Sequence, residues 1–487
     1  MEATPAAGPR PVRDGLSRGV LGLPSALVMS VATMAPAAAI FFNTIPQAGI
    51  VGSAIPLTYV IGFVLALLVA HQVAALAAEM PGSGSFYTFV ARGLGARPGF
   101  ITGWLVLITY LVVAPFAFIA LGDSLQADIQ SWTGVNLPWE VWFLVAVVVV
   151  FGIVYLGIQE SLRVDMTLIA IEVGICIALG LTVLAVLGGK GELTTTPLTL
   201  SGLPKGANFF LGVVLAILSF LGFEAAATLG AETRNPKRYI PIAILGSATV
   251  IGLFYVFMAY VAVSGFGVNE MAKYATNASP FGVIATHFWG RAGGTLVDIA
   301  QIVSFYGLGV AITNGTARIL FTIGREGLFP RWLGQLGGSR NVPRNAVLGI
   351  GIVAIALGLG LGVWQTPIVA YGFLGTLDTV AFLVVFLLIN CACFFYFWRH
   401  IGGSQFNWLR HAAIPLVASV AVIAVLIGNL VPVPPAPYNT VPWIVVGWIV
   451  VGAVVIAVVG RRDATALSRA GVVLAGEEEV DLAQTPA

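Results

Sequence analysis

Ser219 to Pro241 reads SFLGFEAAATLGAETRNPKRYIP. The stretch starts inside a long apolar segment and is interrupted at Gly222-Phe223-Glu224. It closes in a basic turn, Arg234-Asn-Pro-Lys237-Arg238, before a second apolar run opens at Ile240. A carboxylate and a glycine in mid-helix are costly in hydrocarbon, and are tolerated where the backbone lines a cavity or packs against protein. The segment therefore reads as a broken membrane helix facing a binding site, a pattern that points to transport.

The rest of the chain agrees with a membrane setting. Of 487 residues, 58% are hydrophobic and only 9% charged, against about 25% charged in a soluble domain. That much apolar surface excludes a soluble fold and implies an all-α polytopic protein embedded in a lipid bilayer. The net charge of +2 is spread between apolar runs, so no nucleic-acid partner is expected. Cys176, Cys391 and Cys393 lie in apolar runs without disulfide or metal spacing, and the four histidines are scattered. No metal, no cofactor and no enzymatic nucleophile is expected. Arg10, Arg13 and Arg18 followed by an apolar run and Ala35-Pro36-Ala37 imitate a secretory signal, but the run continues through Ile40-Phe41-Phe42, which implies an uncleaved first span.

Windows of about 20 apolar residues predict twelve spans, near 24–46, 50–78, 99–127, 139–157, 164–188, 208–231, 240–265, 293–323, 346–364, 368–397, 412–431 and 442–460. An even number puts both termini on one side. With that side cytoplasmic, nineteen Lys/Arg fall on cytoplasmic segments and four (Lys190, Lys205, Lys273, Arg291) outside. The positive-inside rule then sets the orientation, with tails 1–23 and 461–487 in the cytoplasm and the cell membrane as the location.

A second interruption precedes the first in sequence. Span 1 reads Ser30-Val-Ala32-Thr33-Met34-Ala35-Pro36-Ala37. Pro36 lacks an amide hydrogen and clashes with the preceding turn, so the helix must kink or open there. Inverted-repeat carriers hold substrate between two such interruptions in corresponding positions of two halves. The candidate substrate-binding residues are accordingly Ala32, Thr33, Met34, Ala35, Pro36 and Ala37 from span 1, and Leu218, Ser219, Phe220, Leu221, Gly222 and Phe223 from span 6. Opened amides suit a carboxylate and opened carbonyls an ammonium, so an amino acid matches the pair.

Three motifs carry a family resemblance. They are Glu79-Met-Pro81-Gly-Ser-Gly84-Ser-Phe-Tyr87 with Gly93-Leu-Gly95 and Gly103-Trp104; Phe220-Leu-Gly222-Phe-Glu224 through Glu232-Thr-Arg-Asn-Pro236-Lys-Arg-Tyr-Ile-Pro241; and Arg318 through Gly324-Arg325-Glu326-Gly327-Leu-Phe-Pro330. In this order the chain resembles the amino acid–polyamine–organocation permeases. The resemblance implies the LeuT-type five-plus-five inverted repeat, here 24–188 and 208–397, with two further helices in 412–460. It also implies a secondary transporter importing an amino acid or related amine, with a polyamine carrier or an exchanger of the same fold as alternatives. Ala35-Pro36-Ala37 departs from the family's glycine-rich break, and Leu218 stands where several members have an aromatic gate. Some proton-coupled members carry a lysine in span 5, and by motif spacing Glu172 holds that place.

Glu172 and Glu224 are the candidate coupling and gating residues. Hydrocarbon disfavours a charged carboxylate, which makes Glu172 a candidate protonation site, and protons are expected to drive transport in preference to sodium. The resemblance gives Glu224 the role of holding the broken helix. Asp378 is a third carboxylate in mid-span with no partner assignable from sequence, Tyr110, Phe220 and Phe223 are possible pocket walls, and Thr313 and Asn314 in span 8 lie at the depth where sodium-coupled relatives bind an ion but are read as helix–helix hydrogen-bonding residues.

Overall fold

A computed structural model of the chain describes residues 19–82, 84–155, 158–230, 232–325, 330–335, 343–401 and 406–462. The predicted tails, apart from 19–23 and 461–462, and the Glu326–Phe329 part of the third motif lie outside the described residues. The described chain is helical, and its extended pairing is a single parallel bridge between Leu21 and Thr233.

The helices in order are α1 (Leu23–Met34), α2 (Pro36–Val51), α3 (Ile55–Glu79), α4 (Ser85–Leu94), α5 (Ala96–Thr133), α6 (Trp139–Val154), α7 (Ile158–Lys190), α8 (Phe209–Phe220), α9 (Pro236–Phe266), α10 (Met271–Tyr274), α11 (Pro280–Arg325), α12 (Arg344–Trp364), α13 (Pro367–Tyr396), α14 (Ile414–Leu430) and α15 (Val441–Arg462). Among the described residues ten helical segments are long and apolar enough to cross a bilayer, and Trp139–Val154 is a shorter apolar helix. The first segment, Leu23–Glu79, has 57 residues, where one crossing takes about 20.

Burial is arranged for a membrane. Val148, Val250, Ile352, Leu416 and Val420 are exposed, while Asn43, Gln72, Glu172, Glu224, Asp378 and Asn390 are buried. Apolar side chains can face lipid without penalty, whereas polar ones are driven toward the bundle interior. Position in the bundle follows: 18-residue apolar stretches within Ala96–Thr133 and Phe209–Leu229 are 89% buried and central, while that within Tyr438–Val458 is 17% buried and peripheral.

Two predicted features have clear local causes. α1 stops at Met34 because Ala35 takes a left-handed conformation (φ 46°) and its amide bonds back to Ala32 and Val31. Pro36 then opens α2, a position where its missing amide hydrogen costs nothing. α8 stops at Phe220, Gly222 turns left-handed (φ 112°), and Phe223–Leu229 continue as a buried 3-10 helix. A third interruption, at Gly290 (φ 76°) inside α11, lies just before the predicted 293–323 span.

Candidate functional site

The two helix breaks face each other. Ser30 of α1 donates from Oγ to the Phe223 carbonyl (2.7 Å) and accepts from the Ala226 amide (3.1 Å), so one hydroxyl ties α1 to the 3-10 helix. Tyr255 of α9 donates to the Met34 carbonyl, satisfying a group that the break leaves without a helical partner. Ser30→Ala would orphan a buried carbonyl and a buried amide, at about 1–3 kcal/mol. The expected outcome is a lower unfolding temperature of the purified protein, read by a thermal melt in detergent.

Between the breaks lies a small cavity of about 40 Å³. Thr33, Met34, Ala35, Leu218, Leu221, Gly222 and Glu224 line it, and these are the sequence-predicted residues that the fold brings together there. The cavity is completed by residues from α2, α5, α11 and α13, among them Asn43, Tyr110, Phe116, Ile312, Tyr371 and Asp378. Tyr110 was a possible wall from sequence; Asn43, Phe116, Ile312 and Tyr371 had no distinguishing sequence signal beyond, for Asn43, an amide in an apolar run.

The remaining predicted residues are absent from the lining. Ala32, Pro36 and Ala37 are buried in the packing of α1 and α2. Phe220 packs on Tyr59, Phe63 and Tyr255, and Phe223 lies against Phe386. Ser219 belongs to a hydrogen-bond chain beside the cavity. Tyr371 donates to Asn43 Oδ1 (2.8 Å), Asn43 Nδ2 donates to Ser219 Oγ (2.8 Å), and Ser219 pairs with the Tyr59 hydroxyl (2.8 Å). The chain stitches α13, α2, α8 and α3 together next to the site. Glu172 of α7 is buried away from the lining and accepts from Ser304 of α11 (3.1 Å). In α11, Asn314 bonds back to the Val310 carbonyl (3.0 Å), and Thr313 is fully buried.

Glu224 has two jobs at once. Its Oε2 accepts from the Gly222 amide (3.0 Å), which caps the 3-10 helix that follows the break. The side chain also borders the cavity, with Tyr110 beside it. At the neighbouring end of the bundle, Arg318 of α11 pairs with Glu232 at 3.0 Å. The same segment is bonded to the residues before α1: the Leu21 amide donates to Glu232 (3.0 Å), the Arg234 amide to Leu21 (2.8 Å) and Arg234 Nε to Gly19 (3.0 Å). Three pieces of chain, before α1, after the 3-10 helix and in α11, are thus held together by polar contacts.

Comparison with known proteins agrees with this architecture. The family model described as amino acid permease matches residues 25–467. The chain is 26% identical over 391 residues to the low-affinity putrescine importer PlaP of Escherichia coli K12, covering 78% of this chain and 81% of the relative. It is 25% identical over 365 residues to the branched-chain amino acid permease BcaP of Lactococcus lactis subsp. cremoris, covering 70% and 73%. Over 256 residues it is 26% identical to the serine/threonine exchanger SteT of Bacillus subtilis, covering 51% and 55%.

Proposed function

The chain belongs to the amino acid permease family, and on that premise we propose that it works as a secondary carrier, importing an amino acid or related amine by alternating access to the central cavity. The observation that carries this is the pair of helix breaks at Ala35 and Gly222, which border one cavity and are joined through Ser30. Interrupted helices expose backbone where a ligand can use it without an open water path through the bilayer.

The reading extends to topology. Counting Leu23–Glu79 as two crossings and Trp139–Val154 as one brings the ten long segments to twelve. Those divide into repeats at 24–188 and 208–397, with 412–460 as the two added helices. Both termini are then cytoplasmic, and the bias of Lys and Arg toward that side supports the cell membrane orientation. The closed Arg318–Glu232 end becomes the inner gate.

Protons are proposed as the driving ion in preference to sodium, with Glu172 as the coupling residue. It is a buried carboxyl on α7 bonded to α11, so a proton gained or lost there acts on the contact between two helices beside the site. Uptake of labelled leucine, serine, phenylalanine, phenethylamine, isoamylamine and putrescine into proteoliposomes, with and without an inward proton gradient, tests the proposal. Gradient-driven accumulation of at least one compound is expected; no uptake of any of them by folded protein rejects the carrier. Glu172→Gln is expected to keep downhill flux while losing the gradient's effect, and a preserved gradient effect removes Glu172 from coupling.

A further inference from the structure

We propose that Glu224 and Asp378 form one cation-recognition site in the central cavity, which holds the ammonium of a primary amine with an apolar skeleton in preference to the amino acid of the same skeleton. The inference rests on the carrier reading above and narrows its substrate.

The charge of the cavity comes first. Among the residues that line it, Glu224 and Asp378 are the ones with carboxyl groups, and no Lys, Arg or His is among them. They come from different elements, the 3-10 helix after α8 and the middle of α13, yet lie within electrostatic reach of each other, with Tyr110 beside both. Their side chains are 1% and 2% exposed, and Asp378 Oδ1 has no hydrogen-bond partner. Two carboxyl groups bordering one low-dielectric cavity, with an acceptor of Asp378 unused, form a site whose need is a compact donor carrying positive charge. An ammonium supplies that charge and three hydrogens.

The backbone argues against an accompanying carboxylate. At the second break the Gly222 amide is already taken by Glu224 Oε2, and the Ala226 amide by Ser30. At the first break Pro36 has no amide hydrogen, and Ala37 and Ala38, which supply the next ones, do not line the cavity. The Gly222 and Ala226 amides are therefore spent and those after Pro36 turned away, and an anion would also meet two acidic side chains. The remaining wall is largely apolar: Val113, Phe116, Leu218, Leu308 and Ile312 offer a surface for hydrocarbon.

Isothermal titration of the purified full-length protein with two matched pairs tests this: phenethylamine against phenylalanine, and isoamylamine against leucine. Each amine is expected to bind about tenfold or more tightly than its amino acid, and Asp378→Asn to weaken amine binding by a similar factor, as loss of a buried charge partner does. N-acetylphenethylamine, which keeps the skeleton and loses the charge, is expected not to bind; this arm does not depend on any variant folding. Tighter binding of the amino acids, tighter binding of putrescine than of either monoamine, equal binding of the acetylated compound, no binding of either amine, or amine affinity unchanged in folded Asp378→Asn and Glu224→Gln each overturns the inference. The carrier reading fails separately, by absence of flux in proteoliposomes, whatever the titrations show.

Discussion

Gly222→Ala is expected to abolish uptake and to lower the thermal stability of the purified protein. Gly222 turns the chain between α8 and the 3-10 helix with φ 112°, a left-handed conformation that costs an L-residue roughly 1–2 kcal/mol. There is also no space for a side chain. A Cβ would stand 2.8 Å from both the carbonyl carbon and Cγ2 of Thr33 and 2.9 Å from the Met34 amide nitrogen. Two of those three atoms are backbone and cannot rotate away. The methyl would therefore push the two helix breaks apart at the place where they meet, adding an overpacking cost of about 1–3 kcal/mol. The Ser30 bridge between the breaks spans the same junction, so the geometry of the site is lost together with the stability. Uptake in proteoliposomes and a thermal melt check this; uptake close to that of the unmodified protein would contradict it.

Arg318→Ala is expected to open the end of the molecule that the N-terminal segment closes. The Arg318 and Glu232 side chains are 11% and 4% exposed, so removing the guanidinium leaves a buried carboxylate without its partner, at a cost of about 3–5 kcal/mol for the closed state. An open state that hydrates Glu232 escapes much of that cost. With about 1.4 kcal/mol per decade, even half of the loss raises the open population by roughly tenfold or more. Leu21→Cys is a suitable reporter, because Leu21 is 3% exposed and bonded to the Glu232 segment. In protein lacking Cys176, Cys391 and Cys393, Arg318→Ala should speed thiol labelling at that position by the same factor. An unchanged labelling rate would show that the ion pair is not what holds this end shut.

The membrane class and both helix breaks are legible in the sequence because each has a cause that acts locally. Pro36 cannot continue a helix, and Gly222 with Glu224 is out of place in hydrocarbon. The facing of side chains is not legible in the same way. A helix in a bilayer has an apolar face toward lipid and another toward the bundle, so the alternation that marks the buried face of a soluble helix is missing. Phe220 and Phe223 thus stand in the sequence as wall candidates alongside Leu218 and Leu221, and only the fold turns the first two into packing and the second two into lining. Asp378 shows the opposite case. It is conspicuous as a lone carboxylate in a long apolar run, but Glu224, which lines the same cavity, lies 154 positions earlier, and no local pattern links the two. The Arg318–Glu232 pair and the Tyr371–Asn43–Ser219–Tyr59 chain are long-range in the same sense.

The central claim is that substrate occupies the cavity between the two breaks, and substrate protection of a cysteine there tests it most directly. Leu218→Cys places the thiol on the cavity wall, and Leu200→Cys places one in an exposed connection as a control. Both would be made in protein lacking the three native cysteines and labelled with a small maleimide, with and without the best-transported compound of the uptake panel. The account predicts that this compound slows labelling at position 218 in a concentration-dependent way and leaves position 200 unchanged. Labelling at 218 that is indifferent to a compound the protein carries would place the substrate elsewhere and contradict the account.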